Sequence, residues 1–159
     1  MSERVSTDFV GQTRSDRRIT LVLSIRAEYS ARIFEGSKRV EFRRVRPRVR
    51  PGDRVIVYVP SPVSAIVGEL EVSGVRESTP SGLWRLTRKD AGLRKAAFDD
   101  YFRGASTAFC IDIETAIRFE EPLELRQIRR HDSRFSPPQC FWYLSSARRR
   151  DRILASLLS

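Results

Sequence analysis

Lys38, Glu41 and Arg43 follow Gly36 within a few residues of one another. An ammonium, a carboxylate and a guanidinium at that spacing make a compact polar set. On a strand, Glu41 and Arg43 share one face. Lysine can lose its proton where its surroundings favour the neutral amine, and arginine cannot. Such a set can read the hydrogen-bonding edge of a base, polarise a carbonyl or move a proton. The plainer reading is a solvated strand face that carries an ion pair. On residue types alone that plainer reading comes first.

The flanking residues supply the elements that must position the set. Ile19, Leu21, Leu23 and Ile25 alternate with Thr20, Val22 and Ser24, which predicts a strand over 19–25. Tyr29 and Ile33 stand one turn apart and Gly36 offers a left-handed stop, which predicts a helix over 27–35. Val40 and Phe42 alternate with Arg39, Glu41 and Arg43, which predicts a strand over 39–45. Strand, helix and strand in that order bring Lys38 to a helix end and the other two charges beside one cleft.

A dense basic run continues from the set. Between Lys38 and Arg54, eight basic residues meet only Glu41 and Asp53. Arg39, Arg43, Arg44, Arg46, Arg48, Arg50 and Arg54 repel one another until an anion arrives. The run therefore points to a phosphate-contacting rim, against the alternative of a solubilising loop. The whole chain has 159 residues, 30 basic against 20 acidic, for a net charge of +10. A basic single domain meets polyanions, nucleic acid foremost. No segment pairs a basic face with an apolar one, so a membrane surface is not the expected partner. Of the 30 basic residues 27 are arginine, and a GC-rich genome accounts for most of that bias. Arginine is also the better phosphate fork.

Other candidates are weaker. Arg126, Arg129, Arg130, His131 and Arg134 form a second basic cluster, with the single histidine in a polar loop. Arg148, Arg149, Arg150 and Arg152 form a third, which reads as a solvated helix face. Tyr58, Phe141, Trp142 and Tyr143 could stack on bases, although a small barrel needs most of its aromatics inside. Glu69 and Glu71 share a strand face and answer the arginines. Cys110 and Cys140 could pair, but no framework spacing or CxxC is present, so no disulfide scaffold, metal or cofactor is implied.

The rest of the chain reads as one α+β domain. Residues 1–18 are polar and read as a mobile tail. Strands are predicted over 54–59, 65–75, 107–119 and 140–144, and 122–128 reads as a further one. Ile66, Gly68, Leu70 and Val72 share a face, with Gly68 marking a bulge or a close approach. Helices are predicted over 81–89 and 93–103, and a basic C-terminal helix over 146–159. Five to seven mixed strands make a small β-barrel over 19–145 with helices on its rim. No apolar leader and no membrane-length segment occurs, so the expected location is cytoplasmic.

The segment Leu23 to Arg44 resembles the opening of the ASCH domain, the activating signal cointegrator homology domain. Gly36, Lys38, Glu41 and Arg43 match its Gly-x-Lys-x-x-Glu-x-Arg pattern. Val55-Ile56-Val57-Tyr58, Ser61-Pro62-Val63 and Val67-Gly68-Glu69 follow in register, then the helix pair. Pro137-Pro138-Gln139-Cys140-Phe141 closes the series, with Cys140 where serine is usual. The resemblance spans roughly residues 19–145. It implies a fold similar to PUA, a mixed barrel with a cleft beside the first helix. It also implies nucleic acid as partner, RNA ahead of DNA, or a nucleotide or modified base. Lys38, Glu41 and Arg43 would line the cleft, with Ser24, Tyr58, Ser61 and Glu69 near it. Arg26, Arg44, Arg46, Arg48 and Arg50 complete the expected binding set. Some members are enzymes. Small bacterial ones resemble amidohydrolases that remove the acetyl group of N4-acetylcytidine with a lysine base and a threonine nucleophile, and Glu41 stands at that threonine position. Another is described as a ribonuclease. In an enzyme, Lys38 and Glu41 would take the acid–base roles.

Overall fold

A strongly β-branched core sequence curls one sheet around the first helix. The computed structural model describes residues 17–159, so most of the expected tail lies outside the described residues. The strands are β1 (Thr20–Ser24), β2 (Val40–Arg43), β3 (Arg54–Val59), β4 (Ala65–Ser78), β5 (Ala108–Glu124) and β6 (Phe141–Tyr143). The helices are α1 (Ala27–Glu35), α2 (Pro80–Thr87), α3 (Lys95–Tyr101), α4 (Leu125–His131) and α5 (Arg149–Leu157). The sheet order is β2-β5-β4-β3-β1-β6. β1 and β3 run parallel and the other pairs antiparallel, so the sheet is mixed. It curls into a half-barrel whose edge strands, β2 and β6, do not pair with each other.

Three apolar clusters hold the helices to the sheet. Leu21, Leu23, Val55, Val57, Leu70 and Val72 pack with Ile33 of α1. Val22 and Ile56 point the other way and pack with Ile128 of α4 and Leu154 of α5. Thus β1 and β3 are buried on both faces, as their continuous apolar content requires. Val40, Phe42, Leu83, Phe98 and Phe102 fix α2 and α3 against the β2 end. Phe98 stands edge-on to Phe42 with ring centroids 5.0 Å apart.

The first three elements form where the residues predict them, including the left-handed Gly36 with φ 89°. Gly68 marks a close approach: a Cβ there would meet Phe34 Cζ at 2.6 Å and the Ile117 carbonyl. The pairing register also slips between Ile66 and Gly68. That bulge moves Ile66 off the face of Leu70 and Val72 into the cluster under α4 and α5.

The strand expected over 122–128 is corrected. β5 runs on to Glu124, and a capping box then starts α4: the Glu124 side chain accepts from the Gln127 backbone, and Gln127 answers the Glu124 N–H. Ile128 is fully buried on that helix. Burial of such a side chain contributes about 1.5–3 kcal/mol, enough to override the local two-residue alternation. His131 consequently ends a helix rather than lying in a loop. Among the described residues no helix is long and apolar enough to cross a membrane.

Candidate functional site

The candidate site is a cleft where the β2 edge of the sheet faces the junction of β1 and α1. α1 leaves β1 through Ser24, Ile25 and Arg26, and α3 docks over β2 through Phe98. Between them lies a cleft of about 280 Å³, lined among others by Ser24, Arg26, Tyr29, Lys38, Glu41 and Arg43. Leu93, Ala97, Phe98, Asp100 and Tyr101 form the opposite wall.

Lys38 enters this cleft from a helix end. Its side chain is 1% exposed. Nζ donates to the Ala91 carbonyl at 2.8 Å. The Arg39 N–H takes the Asp90 carbonyl at 2.9 Å, and Arg32 Nη1 takes that of Gly92 at 2.7 Å. Three successive carbonyls of the α2–α3 connection thus hold the lysine and its neighbours. The ammonium also lies 4.8 Å from the Phe42 ring centroid and 5.5 Å from that of Tyr29. Burial holds Lys38 below the ordinary lysine value of 10.5, and the nearby Glu41 carboxylate opposes that effect.

Glu41 and Arg43 are not a solvated face. Their side chains are 9% and 10% exposed. Glu41 Oε2 lies 3.9 Å from Lys38 Nζ, and Oε1 accepts from Arg43 Nη2 at 2.9 Å. The same Nη2 donates to the Ser24 carbonyl at 2.9 Å, across the open edge of the sheet. Arg43 Nη1 lies 4.0 Å from Cys140 Sγ. Arg43 Nε is buried without a partner among the described residues. It is a spare donor beside a carboxylate with acceptor capacity left on Oε2.

The other expected residues disperse. Tyr58 is buried under α4 and α5. Ser61 is exposed in the turn after β3, and Glu69 pairs with Arg54. None of these three lines the cleft. Arg44 Nη1 donates to the carbonyls of Tyr101 and Arg103 at 2.8 and 3.0 Å. Arg46 pairs with Glu77. Arg48 and Arg50 are exposed, with no ion pair among the described residues. The repulsion expected along the run is therefore partly answered within the fold.

Tyr29, Asp100 and Tyr101 are cleft residues that sequence reasoning did not single out. Tyr101 donates its hydroxyl to the Phe42 carbonyl at 3.2 Å, and burial raises its pKa. The helix holding Asp100 and Tyr101 is legible, but no local signal says where it docks. Among the described residues no group of three or more His, Cys, Asp or Glu could hold a metal. Cys110 and Cys140 are free, and burial pushes the Cys110 thiol up to about 11.

The geometry has counterparts. The ASCH domain model matches residues 23–123. An ASCH domain-containing ribonuclease of Zymomonas mobilis subsp. mobilis is 30% identical over 125 residues, covering 77% of this chain and 82% of that protein. A crystal structure of ASCH from Zymomonas mobilis superposes with a TM-score of 0.77 at 27% identity, over 87% of this chain and 94% of that one. Large ribosomal subunit protein uL22 of Ureaplasma parvum serovar 3 is 26% identical over 117 residues, covering 73% of this chain and 37% of that protein.

Proposed function

Because this chain belongs to the ASCH domain family, we propose that it is an RNA-binding protein that draws one unstacked nucleotide of a single strand into the cleft. One observation carries this reading: Arg43, which lines the cleft and holds the Glu41 carboxylate through Nη2, keeps a buried Nε donor without a partner among the described residues. A buried donor without a partner costs free energy, and a base edge supplies both a partner for it and a donor for Glu41. A cavity of about 280 Å³ lies at the lower end for small-molecule sites. It suits a single base and excludes a duplex. Arg26 is exposed on the cleft lining, and Arg48 and Arg50 are exposed outside it without an ion pair among the described residues, so phosphates beyond the bound nucleotide can meet free guanidinium groups.

Fluorescence anisotropy of a labelled single-stranded RNA across a salt series tests this. Binding should weaken as salt rises. Ala97→Trp, which fills the cleft from the α3 wall, should weaken it at least about tenfold while the protein stays folded. Unchanged binding by that variant overturns the cleft as the site.

A second reading has its own support in the lowered pKa of Lys38 and in the ribonuclease named among the relatives. Neutral Lys38 can remove the proton of a ribose 2′-hydroxyl. The 2′-oxygen then attacks phosphorus, and the 5′-oxygen leaves with a proton from water, giving a cyclic phosphate. Arg43 faces the developing phosphate charge. Lys38→Ala should then abolish cleavage on a gel while RNA binding persists. Intact RNA after prolonged incubation with the wild type removes this reading and leaves the binding one.

A further inference from the structure

A second basic surface stands outside the cleft. From residue 125 to 152 the chain carries eight arginines against two aspartates. Four of the arginines are employed by the fold. Arg126 pairs with Glu124, Arg129 donates to the Phe135 carbonyl, and Arg152 donates to Ser146 and Ala147. Arg150 lies over the Trp142 ring at 4.2 Å and reaches Asp151. Arg130, Arg134, Arg148 and Arg149 are exposed, and their side chains make no ion pair or hydrogen bond among the described residues.

These four belong to neighbouring surface. Ile128 of α4 and Leu154 of α5 share one buried cluster, so the two helices lie side by side with their polar sides outward. Asp151 is buried and Asp132 accepts from a backbone N–H, so neither neutralises the group. Arg148 and Arg149 also open α5, the helix end where the backbone already carries partial positive charge. Cations there destabilise a helix until an anion settles beside them.

The surface connects to the cleft. The segment after α4 ends at the cleft wall, where the Pro138 carbonyl accepts from Ser24 Oγ and Cys140 approaches Arg43. Arg134 precedes Pro138 by four residues, so the two are at most about 14 Å apart along an extended chain. A strand leaving the cleft on that side meets the arginines within a few nucleotides.

We infer that the exposed sides of α4 and α5, with Arg134 between them, hold the phosphates of the RNA strand that leaves the cleft. The inference rests on the cleft reading for what occupies the cleft. The occupant is nucleic acid because the exposed cations of this surface that lack an ion pair are all guanidinium forks, which match phosphate. Among the described residues the exposed large apolar side chains Val45, Leu86, Tyr101 and Ile117 lie on other elements and Val63 alone borders α4, so the surface carries no apolar patch to anchor a protein or a membrane.

The test compares a trinucleotide with a single-stranded RNA of about 15 nucleotides, a length that spans more than one binding region. The probe variant is R130Q/R134Q/R148Q/R149Q. It should bind the long RNA at least tenfold more weakly, with a salt slope reduced by about 0.7 for each phosphate that is no longer neutralised. Its affinity for the trinucleotide should match the wild type. Unchanged long-RNA affinity and slope overturn the inference. Ala97→Trp separates the two readings. If that variant alone loses the long RNA, the cleft stands and the surface falls. If only the arginine variant loses it, the surface stands and the cleft reading falls.

Discussion

The charged form of Lys38 comes at a cost, because its ammonium has been taken out of water for one carbonyl, two ring faces and a carboxylate 3.9 Å away. Burial is the largest influence on it and lowers its pKa below 10.5. Between that lowered value and 10.5 the unfolded chain holds the proton more tightly than the folded one. Folding stability therefore rises with pH across this window and the lysine penalises the fold below it. Lys38→Met has no such group. The stability of wild type minus that of Lys38→Met, from urea melts at a series of pH values, should be flat at low pH and rise towards pH 10.5. The slope is at most about 1.4 kcal/mol per pH unit, the value for one proton. A difference that falls with pH would mean that Glu41 outweighs burial and that Lys38 is a fixed cation. The sequence shows that a lysine, a glutamate and an arginine come together. It does not show that they are buried, because a polar alternation on β2 reads the same whether water or α1 and α3 cover it.

At the scale of elements, the α2–α3 connection makes the lysine pocket. Gly92 has φ +62°, and a Cβ there would press on Lys38 Cγ at 2.8 Å. Gly36 also has a positive φ, +89°, but nothing lies within 4 Å of its would-be Cβ. Gly36→Ala should therefore cost only the left-handed penalty, about 1–2 kcal/mol. Gly92→Ala should cost more, because the alanine must also displace a fully packed side chain. Its urea midpoint should fall below that of Gly36→Ala, and under the proposed function its affinity for single-stranded RNA should fall with it. Equal midpoints would mean that the connection yields and does not fix Lys38. Both glycines are visible in the sequence as punctuation, Gly36 between a helix and a strand and Gly92 between two helices. Only Gly36 can be given its role there, since a helix stop is local and the approach to Lys38 is made across more than fifty residues. The same limit hides α4: the capping residues Glu124 and Gln127 are on view, but the burial of Ile128 under α5 is not.

For the whole molecule, the open sheet raises the question of what keeps its edges at a fixed distance. A closed barrel would use a ladder of backbone hydrogen bonds, and none joins β2 to β1 or β6. Arg43 stands in for that ladder. It grips Glu41 on its own strand and the Ser24 carbonyl at the end of β1, both at 2.9 Å. Both bonds come from the one nitrogen Nη2, which leaves Nη1 and Nε of the guanidinium free of these two partners. The side chain that makes this link also lines the cleft, and its Nε stays buried without a partner among the described residues. Arg43→Gln removes the brace and leaves Glu41 buried with only Lys38 nearby, which should cost about 3 kcal/mol. Adding Glu41→Gln removes the stranded carboxylate. The double variant should then be more stable than Arg43→Gln alone, with a coupling of at least about 1 kcal/mol in denaturant melts. Amide exchange in β1 and β2 should stay faster than wild type in both variants, because neither restores the cross-brace. Additive losses with unchanged exchange would show that the apolar clusters under α1 and α3 hold the edges by themselves, and that Arg43 serves the ligand only.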